Sequence, residues 1–322
     1  MQKFWAALTL TAVAISLSGC STQSQALAPF DGLSAACDHY SSSSELDQIK
    51  VVDTASKVPQ LQFSAGLKPS KILTRVVKEG TGPVFTGNQY VSFDYVSYST
   101  GSVSGSKVVA PQLIGASKFD GKAFGQAEID SVSTADFCHA LSGVREGSRV
   151  IVATPAANGA PDAVYLLDIR QIFLPHANGA VQLPSTGFPQ VVRDPKTGQP
   201  GILAPVEAAP KDFKKATVIQ GAGTQVKLGD TVMANYEVFI YSSKITSPAD
   251  SNWTTSPVTP LPFKVEYNTG LISGFVKSLE GSHVGDQIIS LVPPALGYPN
   301  GRGSIPAGST LIFVIDVLGI VK

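Results

Sequence analysis

Charge is scarce in this chain. Asp, Glu, Lys and Arg make up 15% of its 322 residues, and 24 basic residues balance 24 acidic ones, so the formal net charge is zero. Binding of nucleic acid needs a basic face to neutralise phosphates, and no basic stripe occurs, so no nucleic-acid partner is expected. The four histidines (His39, His139, His176 and His283) are scattered, with none of the close spacing that places two imidazoles on one metal. There is no Gly-x-Ser-x-Gly elbow and no phosphate-cradling loop of the P-loop type. Gly221-Ala222-Gly223 lacks the third glycine of a dinucleotide turn and reads as an ordinary turn. Nor does any run reach the roughly 20 apolar residues that span a bilayer.

What is present begins at the N-terminus. Lys3 is followed by an apolar run from Phe4 to Leu17, then by Leu17-Ser18-Gly19-Cys20. A single positive charge, a short apolar stretch and small residues before a cut describe a secretory signal over residues 1–19. The Leu-Ser-Gly-Cys tetrad resembles the lipobox of bacterial lipoproteins. That resemblance implies lipidation of Cys20 and a chain held to the extracytoplasmic face of the cell membrane through its lipid alone. Residues 20–46, rich in Ser, Ala and Gln, then read as a tether. Once Cys20 is set aside, Cys37 and Cys138 remain. An oxidising exterior favours a disulfide between them; two free buried thiols are the other reading.

Two stretches of the chain look like copies of each other. Val58-Pro59-Gln60-Leu61 matches Phe188-Pro189-Gln190-Val191, Gly87–Tyr95 matches Gly229–Tyr236, Phe137–Gly143 matches Phe275–Gly281, and Val164–Ile169 matches Ile312–Val317. Phe275 and Leu279 would share one face of a short helix, with Gly281 placed to end it. The flanking Val- and Ile-rich segments read as strands, and in the second copy Val232 to Tyr236 alternates large and small side chains. Each copy is therefore expected to be α+β, an antiparallel sheet wrapped around one short helix. The first unit is expected over 47–176, a linker over 177–185 and the second unit over 186–322. The Pro-rich segment 194–212 reads as an extended arm or an edge hairpin.

The C-terminal stretch carries the strongest signature. Ile288-Ile289-Ser290-Leu291-Val292-Pro293-Pro294-Ala295-Leu296-Gly297-Tyr298 leads into a Gly-rich loop, then Ile305-Pro306 and the strand Leu311–Leu318. This resembles the C-terminal signature of the FKBP-type peptidyl-prolyl isomerases, over 217–322 well and over 74–174 weakly. The resemblance implies an apolar bowl that takes the proline ring of a substrate, and it implies roles by position. Phe275 matches the aromatic floor. Leu271 and Ile272 match the apolar pair before the helix, with the Ile272 N–H holding a substrate carbonyl. Tyr236, Phe263 and Phe313 match wall aromatics, Tyr298 the loop tyrosine, and Val265, Ile305 and Trp253 further substrate contacts. No cofactor or metal is implied. The partners implied are proline-containing segments of exported proteins.

There are departures as well. Trp253-Thr254-Thr255-Ser256 stands where the family has Phe-Asp-Ser-Ser, so Thr254 replaces an acid, and the loop from Tyr298 to Ile305 is short. In the first copy Ser133 and Thr134 stand for Leu271 and Ile272, and the tyrosine loop is missing, so its proline pocket is expected to be lost. Asn252-Trp253-Thr254 has the form of a glycosylation acceptor and is read as incidental. The expected function is thus an extracytoplasmic, lipid-anchored isomerase that assists folding of exported proteins. The alternative is a non-catalytic, peptide-binding surface lipoprotein of the same fold. A solute-binding lipoprotein would need alternating α/β segments, which are absent.

Overall fold

The computed structural model describes residues 37, 42–55, 57–120, 126–129, 135–157, 159–195, 197–242, 244–245, 247–255 and 258–322. The expected signal segment and Cys20 lie outside them, as do Ser133, Thr134 and Ser256.

A small ladder opens the described chain, β1 (Lys50–Val52) against β2 (Gln60–Gln62). The first large sheet follows. Its elements are β3 (Leu73–Lys78), β4 (Gln89–Ser99), a hairpin of β5 (Ser102–Ser104) and β6 (Lys107–Val109), β7 (Leu113–Ala116), β8 (Gln126–Ile129), helix α1 (Ala135–Leu141), β9 (Arg149–Thr154) and β10 (Ala163–Ile172). The strand order is β3-β9-β10-β4-β7, with β8 also pairing β4. Strand β9 is apolar on both sides because both faces of this sheet are covered. Val150 and Val152 point with Leu167 and Ile169 toward Leu141 of α1. Ile151 and Ala153 point with Val164 and Leu166 toward Leu46, Ile49 and Leu61. Leu46 belongs to a 3-10 turn over Ser44–Gln48 and is fully buried. The end of the expected tether, from residue 44, is therefore part of the core rather than a free linker, because its leucine seals a sheet face that would otherwise be wet.

The second half repeats this plan. Its elements are β11 (Ala180–Val181), the hairpin β12 (Val191–Arg193) and β13 (Pro200–Ile202), β14 (Lys214–Gln220), β15 (Thr231–Ile240), β16 (Asp250–Ser251), β17 (Leu261–Lys264), helix α2 (Ser273–Leu279), β18 (Gln287–Val292) and β19 (Leu311–Ile320). The order is β14-β18-β19-β15-β16, with β17 also pairing β15 and β11 added outside β14. Element for element this is the order of the first sheet. Ala180 and Val181 pair with Gln220 and Ile219, so the expected linker 177–185 supplies an edge strand of the second sheet instead. The Pro-rich arm resolves as the β12–β13 hairpin. Val191 and Ile202 lie on Phe239, Ile289, Leu291, Ile312 and Val314, the face of the sheet turned away from α2. All residues of β18 are buried for that reason: alternate ones face the helix and the hairpin.

The two sheets meet through Phe173, which packs with Met233 and Leu318. Leu174 donates its N–H to the Leu318 carbonyl at 3.1 Å, and the Gln171 amide donates to the Ile320 carbonyl at 2.7 Å. A Cβ on Gly319 would lie 2.7 Å from the Phe173 ring, so glycine lets the aromatic lie on the strand. Asp316 is buried beside this junction and accepts from the Ala177 N–H (2.9 Å) and the Gln287 amide (2.6 Å). Burial pushes its carboxyl above the ordinary value, opposed by these bonds.

Candidate functional site

The site lies between α2 and the facing side of the second sheet. In β15 and β19, Tyr236 is opposite Ile315 and Val238 is opposite Phe313. Strand alternation turns Tyr236 and Val238 toward the helix and Glu237 away from it. Phe275, two residues into α2, is the hub of the aromatic set. Its ring lies 4.7 Å from Phe263, 5.4 Å from Phe313 and 6.1 Å from Tyr236, between centroids, in tilted or edge-on pairs. Tyr236 and Phe263 are 5.7 Å apart and nearly perpendicular. Such edge-to-face contacts fix ring orientation as well as burying area. The helix approaches the sheet so closely that a Cβ on Gly274 would be 2.2 Å from Val292 Cγ1. Glycine at that position sets how deep the Phe275 floor lies.

Above this floor is a cavity of about 360 Å³, lined by Tyr236, Phe263, Leu271, Ile272, Phe275, Tyr298, Ile305 and Phe313 of the sequence-derived set, and also by Val238, Ala249, Asp250, Gly270, Arg302, Gly303 and Ser304. This size suits a small ligand group. Ile272 is the residue before α2, at φ −66° and ψ 142°, and its carbonyl accepts the first helical N–H groups. Its own N–H has no hydrogen-bond partner among the described residues. A free amide beside an apolar floor is a donor held ready for a carbonyl.

Val265 and Trp253 are placed differently from expectation. Val265 is fully buried in the core and does not line the cavity. Its backbone brackets the β15 start, accepting from Gly229 at 2.9 Å and donating to Asp230 at 2.8 Å. Trp253 is buried outside the cavity, in the turn after β16, and its indole N–H has no partner among the described residues. Thr254 does not stand in for an acid, since its hydroxyl donates to the Ser251 carbonyl at 3.4 Å in the same turn. The acid is Asp250. Its carboxylate accepts from the Tyr236 hydroxyl at 3.1 Å and from the Ser251 N–H at 2.9 Å. It lies four residues before Thr254, and the Asp250-Ser251 pair is the sequence signal that could have located it.

The hydrogen bonds around Tyr236 make the wall stiff. Its backbone N–H donates to Asn252 Oδ1 at 2.8 Å, and the Asn252 amide donates to Asn235 Oδ1 and the Thr259 carbonyl, both at 2.9 Å. Asn252 is buried, so the sequon there spends its amide on the fold. The Tyr236 phenol is pushed up to about 12, first by burial and then by the Asp250 carboxylate beside it, while Arg302 pulls the other way. It therefore remains a neutral donor at neutral pH. At the mouth, the Arg302 guanidinium lies 5.3 Å above the Tyr298 ring and donates to its hydroxyl at 3.3 Å.

The first sheet holds the corresponding pair Phe137 and Tyr165, 5.5 Å between centroids. The segment joining β9 to β10 runs only over 155–162, against 293–310 between β18 and β19. Among the described residues there, none occupies the place of Tyr298 and Ile305. Cys37 and Cys138 are joined by a disulfide, with Cα atoms 5.8 Å apart.

A sheet wrapped on one short helix, with an aromatic-floored cavity and a free amide at the helix entrance, is the architecture of a prolyl-bond rotamase. Residues 222–318 match the model of the FKBP-type peptidyl-prolyl cis-trans isomerase family. A probable FK506-binding protein from Corynebacterium glutamicum is 30% identical over 121 residues, 37% of this chain and 97% of that protein. An FK506-binding protein from Streptomyces anulatus is 30% identical over 132 residues, 40% of this chain and 98% of that protein. FK506-binding protein 2 of Aspergillus oryzae is 34% identical over 115 residues, 35% of this chain and 81% of that protein. The chain belongs to the FKBP-type peptidyl-prolyl cis-trans isomerase family, and its enzymatic class is peptidyl-prolyl isomerase.

Proposed function

We propose that this protein is an extracytoplasmic isomerase of two tandem FKBP-like units, tethered by lipid at Cys20, in which only the second unit turns over proline bonds. We take the units as the expected 47–176 and 186–322, with 44–46 counted to the first and 177–185 to the second. The observation that carries the catalytic part is the unengaged Ile272 N–H above the Phe275 floor. The amide C–N bond resists rotation by roughly 18–20 kcal/mol because resonance makes it partly double. A dry apolar cavity disfavours the polar planar amide relative to the twisted one, whose charge separation is smaller. Leu271, Phe263, Phe275, Ile305 and Phe313 supply that surface. The Ile272 N–H fixes one carbonyl, and the Tyr298 hydroxyl offers a second polar contact, so that one side of the bond is held while the other rotates. No nucleophile or proton transfer is involved.

The first unit repeats the strand order but lacks the loop that walls the cavity, which supports its reading as a non-catalytic copy. The Cys37–Cys138 disulfide supports an oxidising compartment, as does the signal-like N-terminus. There, chains fold with X–Pro bonds that interconvert over tens to hundreds of seconds, so proline segments of exported proteins are the substrates. The binding-only alternative drew on Thr254 in place of an acid and on the short loop from Tyr298 to Ile305; Asp250 at the Tyr236 hydroxyl answers the first of these, and the second stays with the alternative.

The test is refolding of a proline-limited substrate with catalytic amounts of the whole protein. Acceleration is expected. Ile272→Ala removes the side chain and keeps the N–H; Ile272→Pro removes both at a φ that proline accepts. The proline variant should be slower than the alanine variant by roughly tenfold, the worth of one hydrogen bond made in the transition state. Equal rates would remove the amide from the mechanism, and no acceleration by the folded protein would remove the function.

A further inference from the structure

The mouth of the cavity carries a cation that the fold does not neutralise. Arg302 is exposed, lines the cavity, and has no carboxylate within ion-pair distance among the described residues. Its position is nonetheless fixed. Its backbone exchanges two hydrogen bonds with Ile305, both 2.9 Å, closing a tight turn over Gly303 and Ser304. The Ser304 hydroxyl ties that turn to the Ala249 carbonyl across the rim at 3.3 Å. The guanidinium rests on the Tyr298 ring and spends one N–H on the Tyr298 hydroxyl. The remaining N–H groups of its planar fork face no partner among the described residues. Asp250, the carboxylate among the lining residues, is already engaged by Tyr236 and Ser251.

We infer that Arg302 is a specificity-determining residue that favours substrates with an acidic side chain adjacent to the isomerising proline. This rests on the isomerase reading of the same cavity. With the proline ring on the floor, the neighbouring residues leave through the mouth, where their side chains meet the rim. A carboxylate there can take a charge-assisted, two-pronged bond from a guanidinium already ordered by stacking. A lysine side chain meets like charge. The rim is solvent-facing, so the preference is modest, roughly fivefold, and weakened by salt.

The experiment compares kcat/KM for short peptides with Glu, Gln, Lys or Leu before proline, and with Glu or Gln after it, using the whole protein and Arg302→Met and Arg302→Glu. Each enzyme is read as its Glu-to-Gln ratio, so a general loss of activity in a variant cancels. The wild type should prefer Glu over Gln by roughly fivefold in at least one position and disfavour Lys. The ratio should fall to about one in Arg302→Met, invert in Arg302→Glu, and shrink toward one in high salt. A wild-type ratio of one in both positions, or a ratio that survives Arg302→Met, overturns the inference while leaving the isomerase intact. Failure to turn over any of the peptides overturns both.

Discussion

Tyr236 and Asp250 are joined hydroxyl to carboxylate at 3.1 Å, across a ladder in which Glu237 faces Ser251 and Val238 faces Asp250. One short strand pairing therefore serves both faces of the sheet. Tyr236 and Asp250 sit at the cavity, while Glu237 and the Ser251 hydroxyl bond on the far side at 3.0 Å.

Asp250→Asn should lower the Tyr236 titration from about 12 while leaving it above the ordinary tyrosine value, because burial is the larger cause. A raised pKa in the folded state favours the neutral phenol. Its contribution to stability is present below about 10 and lost as pH rises toward about 12. Phenolate absorbance against pH in the wild type, Asp250→Asn and Tyr236→Phe assigns the step. A midpoint in Asp250→Asn identical to the wild type would contradict the pairing.

Gly274→Ala should be costly in both fold and activity. The new methyl would fall 2.2 Å from Val292 Cγ1 and 3.1 Å from the Leu296 carbonyl, so α2 must retreat and take Phe275 with it. Overpacking of this kind costs about 1–3 kcal/mol. Thermal unfolding and the refolding assay should both register it, with kcat/KM falling more than the folded fraction explains.

Cys37→Ser with Cys138→Ser should destabilise the first unit by about 2–5 kcal/mol, since the bridge closes a long loop. The cysteines are 101 residues apart in sequence. The cavity lies in the other unit, so isomerase activity of the remaining folded protein should be retained. Denaturant unfolding alongside the activity assay separates the two effects.

Glu237 is buried, and its Oε2 has no hydrogen-bond partner among the described residues, although Gln199 (2.6 Å) and Ser251 (3.0 Å) both donate to Oε1. Burial pushes its carboxyl above the ordinary value, against those two bonds. A raised folded-state pKa means the contribution is intact at acid pH and lost as pH rises past the carboxylate range. Glu237→Gln should flatten this dependence, so that the stability difference between the variant and the wild type moves in favour of the variant from about pH 4 to about pH 8. A constant difference between the two pH values would show that Glu237 does not titrate abnormally.

Much of this was legible in the chain itself. The Phe275–Leu279 spacing and the glycines beside it specify a short helix, and it spans Ser273–Leu279. The resemblance named Tyr236, Phe263, Leu271, Ile272, Phe275, Tyr298, Ile305 and Phe313, and all eight line one cavity. Tyr236, Phe263 and Phe313 sit in strands and Leu271, Ile272 and Phe275 at the start of α2, where local geometry sets direction, whereas Tyr298 and Ile305 lie in the loop between β18 and β19, where only the resemblance located them. Val265 and Trp253 were misplaced for a different reason. Each follows a short strand rather than sitting within it, so no strand periodicity sets which way its side chain faces. Asp250 was missed because its place beside Tyr236 comes from the β15–β16 pairing, a tertiary contact.

The sequence by itself determined the strand and short-helix segments and the apolar residues of the floor, since these follow from periodicity and from residue types at close spacing, and its resemblance to a known family pointed to the isomerase class. Tertiary structure decided what periodicity cannot encode. It laid the β12–β13 hairpin on the back of the second sheet, took residues 180 and 181 out of the linker as an edge strand, and sealed the first sheet with Leu46. It also brought Asp250 to Tyr236 and set Arg302 at the rim with no carboxylate at ion-pair distance among the described residues. The hairpin and Leu46 settle on whichever apolar face remains to be covered, and that is known only once the sheet has formed; the edge strand and the Asp250 contact depend likewise on a ladder that tertiary pairing creates.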